Sequence, residues 1–135
     1  WKKGAGMLYN LALDRIHEMG AAPGEVYQES KAIDPDTFFD NLIGVTKNIN
    51  DKAHTIRFWA APEQVPYIET KPLHKSQFVV QRDEDGSAIF QMEVVLNYEL
   101  EKDLLGFGEG IKVLSPKSLV NNMSRRLRKA SQNYQ

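Results

Sequence analysis

Cysteine is absent from these 135 residues. That excludes disulfide scaffolds, thiolate nucleophiles and cysteine-ligated zinc or iron–sulfur sites, and it suits a cytoplasmic protein. Long apolar runs are absent too: nothing approaches the roughly 20 residues that a membrane span needs, so no membrane partner is expected. Histidine is scarce, and His17, His54 and His74 stand far apart with no two at ligand spacing, so no metal is expected. No nucleophile–base–orienter set is visible, so no catalytic residue and no cofactor is assigned, and an enzyme is not expected. What remains is an ordinary globular balance, with 41% hydrophobic and 26% charged residues, which fits neither disorder, collagen-like repeats nor coiled coil. The length suits one domain, or one small domain carrying part of another. With Trp1 first, no initiator Met and no signal-peptide pattern, the chain reads as a piece of something longer.

The net charge of −1 hides an uneven distribution. Residues 1–50 carry five Lys or Arg against seven Asp or Glu, and residues 51–110 carry six against eleven. Residues 111–135 carry six and no acid. A basic tail on an acidic body suits nucleic acid, an acidic surface of a partner, or simple solvation.

Periodicity organises the chain. Met7, Tyr9, Leu11 and Leu13 alternate with Asn10, Ala12 and Asp14, the period of a half-buried strand. With its edges free, such a strand is expected to pair with another chain or to be poorly ordered. Gly20, Pro23 and Gly24 break the pattern. Asp34-Pro35-Asp36 supplies a helix cap with Pro at the first helical position, and Phe38, Phe39, Leu42 and Ile43 follow at helical spacing up to Gly44, predicting a helix over 36–43. Lys47 to Ala53 is polar and unpatterned, as a linker is.

Beyond it the pattern is regular. Thr55 to Ala60 alternates as a strand, with Ile56 and Phe58 opposite Arg57 and Trp59. Ala61-Pro62-Glu63 opens a short helix that Lys71-Pro72 ends. Gln77 to Arg82 reads as a second strand with Phe78 and Val80 inward, and Asp83-Glu84-Asp85-Gly86-Ser87 as a hairpin connection. Ala88 to Asn97 is a third strand with Phe90, Met92, Val94 and Leu96 inward. Asn97 caps a helix over Tyr98 to Leu105, ended by Gly106, Gly108 and Gly110. Ile111 to Leu114 is a fourth strand, and Ser115-Pro116 caps a final helix striped by Leu119, Val120, Met123, Leu127, Ala130 and Tyr134. The fold class is therefore α+β: a ferredoxin-like βαββαβ sandwich plus a C-terminal helix. Its helices should cover one sheet face, leaving Arg57, Trp59, Gln77, Val79, Gln81, Gln91, Glu93, Val95 and Lys112 on a mixed polar face suited to binding.

Several strings recur in one family. Tyr67-Ile68-x-x-Lys71-Pro72-Leu73-His74-x-Ser76-Gln77, then Glu99-Leu100, Gly106-Phe107-Gly108, Val113-Leu114-Ser115-Pro116 and the closing amphipathic helix together resemble the C-terminal extension that follows WYL domains. Leu11-Ala12-Leu13-Asp14-Arg15-Ile16 is similar to the last strand of the WYL domain, a small SH3/Sm-like barrel, and the segment at 36–44 to the join between the two. The resemblance implies a division into 1–46, the end of the WYL domain with its linker helix, and 53–135, the extension. It also implies a bacterial transcription regulator, commonly a homodimer, that binds operator DNA through a helix-turn-helix. No helix-turn-helix is present in this chain, and most of the barrel, with the tripeptide that names it, is missing as well.

Candidate residues carry paired readings. Arg15 either pairs with Asp14 or, as the resemblance implies, lies in the barrel's ligand groove. His74 and Gln77, beside Ser76, either satisfy loop backbone or contact ligand. Arg125, Arg126, Arg128 and Lys129 form a basic surface near a helix C-terminus, where cations suit the dipole; it is either solvated or a phosphate or subunit contact. The glycines at 106, 108 and 110 follow a helix and precede a strand, the wrong polarity for a phosphate loop. Trp59 beside Arg57 offers stacking and charge together. Arg57, Trp59, Gln77 and Gln81, with Arg15 and His74, are therefore expected to form an effector pocket for a nucleotide or single-stranded nucleic acid. RNA binders of this fold carry two aromatics and a basic residue on the third strand's open face, and Gln91, Glu93 and Val95 do not match that. The alternative is a ferredoxin-like sensor of a small metabolite with no nucleic-acid role.

Overall fold

In the computed structural model of the protein, residues 14, 16–26, 33–48 and 50–135 are described. Among the described residues, four strands and three α-helices follow in order: β1 Ala53–Ala60, α1 Val65–Thr70, β2 Phe78–Arg82, β3 Ala88–Val95, α2 Tyr98–Leu105, β4 Ile111–Ser115 and α3 Lys117–Gln132. The strands form one antiparallel sheet in the order β2-β3-β1-β4, a mixed α+β arrangement compatible with the expected sandwich.

Alternation drives β1 and β3 together. Ile56 and Phe58 lie opposite Met92 and Phe90, and all four are almost wholly buried. The Phe58 and Phe90 rings stack at 5.5 Å between centroids. Val65 and Ile68 of α1, Leu100 and Leu104 of α2, and Leu119 and Met123 of α3 close the same core. Each helix thus brings one apolar stripe to one sheet face. Asn97 caps α2, its Oδ1 accepting from the Leu100 amide at 2.8 Å. Gly86, at φ +91°, makes the β2–β3 turn, closed by the Gly86 amide donating to Asp83 O at 3.1 Å. Pro116 rather than a polar side chain precedes α3, which has no side-chain cap.

Three expectations need correction. First, residues 36–43 form hydrogen-bonded turns, not a helix. The Phe38 amide does donate to Asp34 O at 2.9 Å, as in a helical turn. The carbonyls that should continue the ladder are taken by distant donors. Lys47 Nζ donates to Phe38 O at 2.7 Å, His74 Nε2 lies 2.6 Å from Asp40 O, and the Val95 amide donates to Asn41 O at 2.7 Å. Each tertiary bond replaces an i+4 bond, so the backbone is satisfied without a helix.

Second, Phe78 and Val80 do not join Phe58 and Met92 in the core; they are 53% and 43% exposed. A register shift between Val79 and Gln81 reverses the phase, and Val79, opposite Phe90, packs on the core instead. Third, Val95 is buried, not open, because the 38–46 segment docks beside it. The strand expected at Met7 to Leu13, and Arg15 with it, lie outside the described residues.

Candidate functional site

Cross-strand partners share a sheet face, so the register, with the helices packed on the other side, gives the face that no described helix covers. One row reads Ser115, Arg57, Gln91 and Phe78; the next reads Lys112, Trp59, Ile89 and Gln81. Two aromatics, two cations and two amides are thereby gathered on one surface. Arg57 Nε donates to Gln91 Oε1 at 2.8 Å, which fixes the direction of the guanidinium while leaving its two terminal nitrogens for other acceptors. Trp59 is half-buried between Lys112 and Ile89, and Phe78 is exposed next to Gln91. Glu93 is the acid on this face; its Oε1 accepts from Thr55 Oγ1 at 3.3 Å.

Of the other expected site residues, Gln81 lies on this face as well, whereas Gln77 and His74 are placed differently. Gln81 stands opposite Ile89, and its Nε2 donates to Asp83 Oδ1 at 2.8 Å. Gln77 precedes β2, and its amide spans a loop: Oε1 accepts from the Leu73 amide at 2.9 Å, and Nε2 donates to Ile68 O at 3.1 Å. The Ser76 amide donates to His74 Nδ1 at 3.1 Å, which leaves Nε2 to donate to Asp40 O. Ser76 Oγ in turn bonds both the amide and the carbonyl of Glu93, at 2.9 and 3.2 Å. Thus His74, Ser76 and Gln77 fasten the stretch that leads into Phe78, and they do not stand with Arg57 and Trp59.

Of the basic surface, Arg126 is tied to α2: its Nη1 lies 3.4 Å from Glu101 Oε1, and its guanidinium stands 5.8 Å from the Tyr98 ring centroid. Arg125 Nη2 donates to Asn122 Oδ1 at 3.4 Å. Arg128 and Lys129 lie exposed beside them. Among the described residues, no three His, Asp or Glu side chains gather as a metal site would need, and no helix is long and apolar enough to cross a membrane.

A second polar cluster fastens the segment before β1 to α2. Asn97 Nδ2 donates to Ile43 O at 2.9 Å and to Thr46 O at 3.1 Å. Thr46 Oγ1 donates to Glu99 Oε1 at 2.6 Å. Partial burial alone would raise the Glu99 pKa, but the hydrogen bond from Thr46 Oγ1 and nearby backbone amides outweigh it and hold the carboxyl below the ordinary glutamate value.

With this geometry in view, residues 52–131 match the WCX domain, the WYL C-terminal extension. The chain belongs to that family. The WCX match covers the sheet, all three helices apart from the last residue of α3, and both rows of the open face. It places the chain in the extension region of a WYL-family regulator. No curated protein matches the chain. Sequence reasoning missed Phe78 as a member of the open face, because three consecutive apolar residues, Phe78-Val79-Val80, carry no phase of their own.

Proposed function

We propose that this WCX domain is the effector-reading part of a WYL-family transcription regulator, and that its open sheet face takes a nucleotide or a short single-stranded nucleic acid. The observation that carries the reading is the gathering of Trp59 and Phe78 with Arg57 and Lys112 on one uncovered face. The aromatics supply stacking surfaces, worth about 1–3 kcal/mol per base. Arg57, aimed by Gln91, supplies paired N–H donors for a phosphate or a base edge. Gln91 and Gln81 supply hydrogen bonds of either sense. The β2-β3-β1-β4 order supports a ferredoxin-like sandwich whose helices leave this face free.

Residues 51–110 carry six basic and eleven acidic side chains, a charge that opposes long polyanions and favours a short ligand with marked salt dependence. The reading also includes homodimerisation, and operator DNA contact only through a helix-turn-helix elsewhere in the regulator. A ligand can switch such a protein only through unequal affinity for two arrangements. Phe78 is the natural reporter, because it follows the stretch that His74, Ser76 and Gln77 fasten to β3, to α1 and to the 38–46 segment. A ligand stacked on Phe78 therefore pulls on the anchors that hold this segment in place.

The test is a titration of short oligothymidine and of mononucleotides, read by Trp59 fluorescence in a Trp1→Phe background. Arg57→Ala with Trp59→Ala, followed by anisotropy of labelled ligand, should weaken binding about tenfold to a hundredfold. In the full regulator the same pair should abolish the effector response and leave basal operator affinity unchanged. Normal binding and a normal response in the double variant would make the face structural and the proposal wrong.

A further inference from the structure

A groove of about 420 Å³ lies away from the centre of the open face, between α3, the end of α2 and β4. Its volume falls within the roughly 300–1,000 Å³ that small organic ligands occupy. Leu105, Val120, Met123 and Leu127 supply apolar wall, while Lys112 and Arg128 bring two cations and no acid lines it. Met123 belongs to the buried core, Leu105 and Val120 are half-buried against it, and Leu127 is 44% exposed.

Charge selects the occupant. Among the described residues no ion pair engages Lys112 or Arg128. Arg125 and Lys129 lie beside Arg128 along the same helix, and residues 111–135 contain no acid that could neutralise them. An apolar trough with cations and no anion at its rim complements a ligand with an aliphatic body and one anionic head. We infer that this groove is a second ligand site, for an amphiphilic carboxylate of medium chain length. The aliphatic chain lies against Val120, Met123 and Leu127, and the carboxylate meets Arg128 and Lys112. Lys112 stands on the edge strand where the groove meets the open face, so the two sites share one border residue.

The experiment titrates decanoate, kept below its micellar concentration, into the 135-residue chain by calorimetry, with decanol and decylamine as the neutral and cationic controls. The expected result is one saturable site per chain for decanoate, at least tenfold tighter than for either control. Decanoate should shift the Met123 methyl resonance and leave the Gln81 side-chain amide resonance, at the far end of the open face, in place. Arg128→Gln should weaken decanoate about tenfold and leave decanol unchanged, and Leu127→Asn should weaken both; neither position is buried, so both variants should keep the fold. No saturable binding, equal binding of decanoate and decanol, or undiminished binding in both variants would overturn the inference. So would self-association of the chain that Leu127→Asn abolishes, since the groove would then be covered by a second copy.

Discussion

Asn97 offers the sharpest test of how the segment before β1 is held. It is only 8% exposed, and one side chain makes three hydrogen bonds: Oδ1 accepts from the Leu100 amide, and Nδ2 donates to Ile43 O and Thr46 O. Replacing it with Ala removes the helix cap, at about 1 kcal/mol. It also strands two loop carbonyls, at about 1 kcal/mol each. A loss near 3 kcal/mol follows, on the order of 10–15 °C in the melting temperature. Asn97→Asp separates the terms. A carboxylate still caps and suits the helix N-terminus, but it cannot donate, so only the loop bonds are lost, at about 2 kcal/mol. Urea denaturation gives the two free energies. Hydrogen exchange should show the Leu100 amide protected in the Asp variant and unprotected in the Ala variant. If Asn97→Asp unfolds at the wild-type midpoint, the loop bonds contribute nothing and the account of this clamp fails.

Further outcomes follow from the same geometry. Gly44 sits at φ +76°, and a Cβ there would lie 2.4 Å from Glu99 Cγ; Gly44→Ala should therefore cost about 1–2 kcal/mol or more in backbone strain alone, read as a lowered melting temperature. Phe78→Ser should change stability by about 0.5 kcal/mol or less, as at an exposed site, whereas Phe90→Ala should cost about 3–5 kcal/mol; denaturant midpoints decide between this phase of β2 and the inward one. Because the folded pKa of Glu99 lies below its unfolded value, its stabilisation is fully present above the ordinary glutamate pKa of about 4.3 and lost as pH falls through the folded value. Glu99→Gln should accordingly flatten the acid limb of the stability curve, and an unchanged limb would remove Glu99 from the account.

Much of the fold was legible because local pattern and tertiary demand agree over most of the WCX domain. In β1 Ile56 and Phe58, and in β3 Phe90, Met92 and Val94, fall on alternate positions, so either strand alone fixes which side is inward. Asn97 followed by an amphipathic octet fixes α2 at both ends. The segment at 36–43 has equally good local signals in Asp34, Pro35 and its spaced aromatics, and it is not a helix. Lys47, His74 and the Val95 amide are 9, 34 and 54 residues from the carbonyls they bind. His74 and the Val95 amide lie outside any local window, so no propensity argument could have weighed them.

The site follows the same rule. Arg57 and Trp59 were readable as outward because Ile56 and Phe58 flank them with clear phase. β2 is an edge strand, and Phe78-Val79-Val80 can turn either way until it pairs. What decides is Phe90, which is buried from β3 and sits opposite Val79; once that pair forms, Phe78 must fall with Gln91 on the open side. Phe78 from the second strand thus adds a second aromatic to the face that carries Trp59, while the third strand still offers Gln91 and Glu93 there. His74 and Gln77 moved the opposite way. Their polarity marks them for ligands and for loop closure alike, and only the positions of Asp40 O, Leu73 N and Ile68 O show that backbone groups already occupy them. A polar side chain near an open sheet face is thus a candidate for ligand contact only after its backbone partners have been counted, and on the proposed effector face that count leaves Arg57, Trp59, Phe78, Gln81, Gln91 and Lys112.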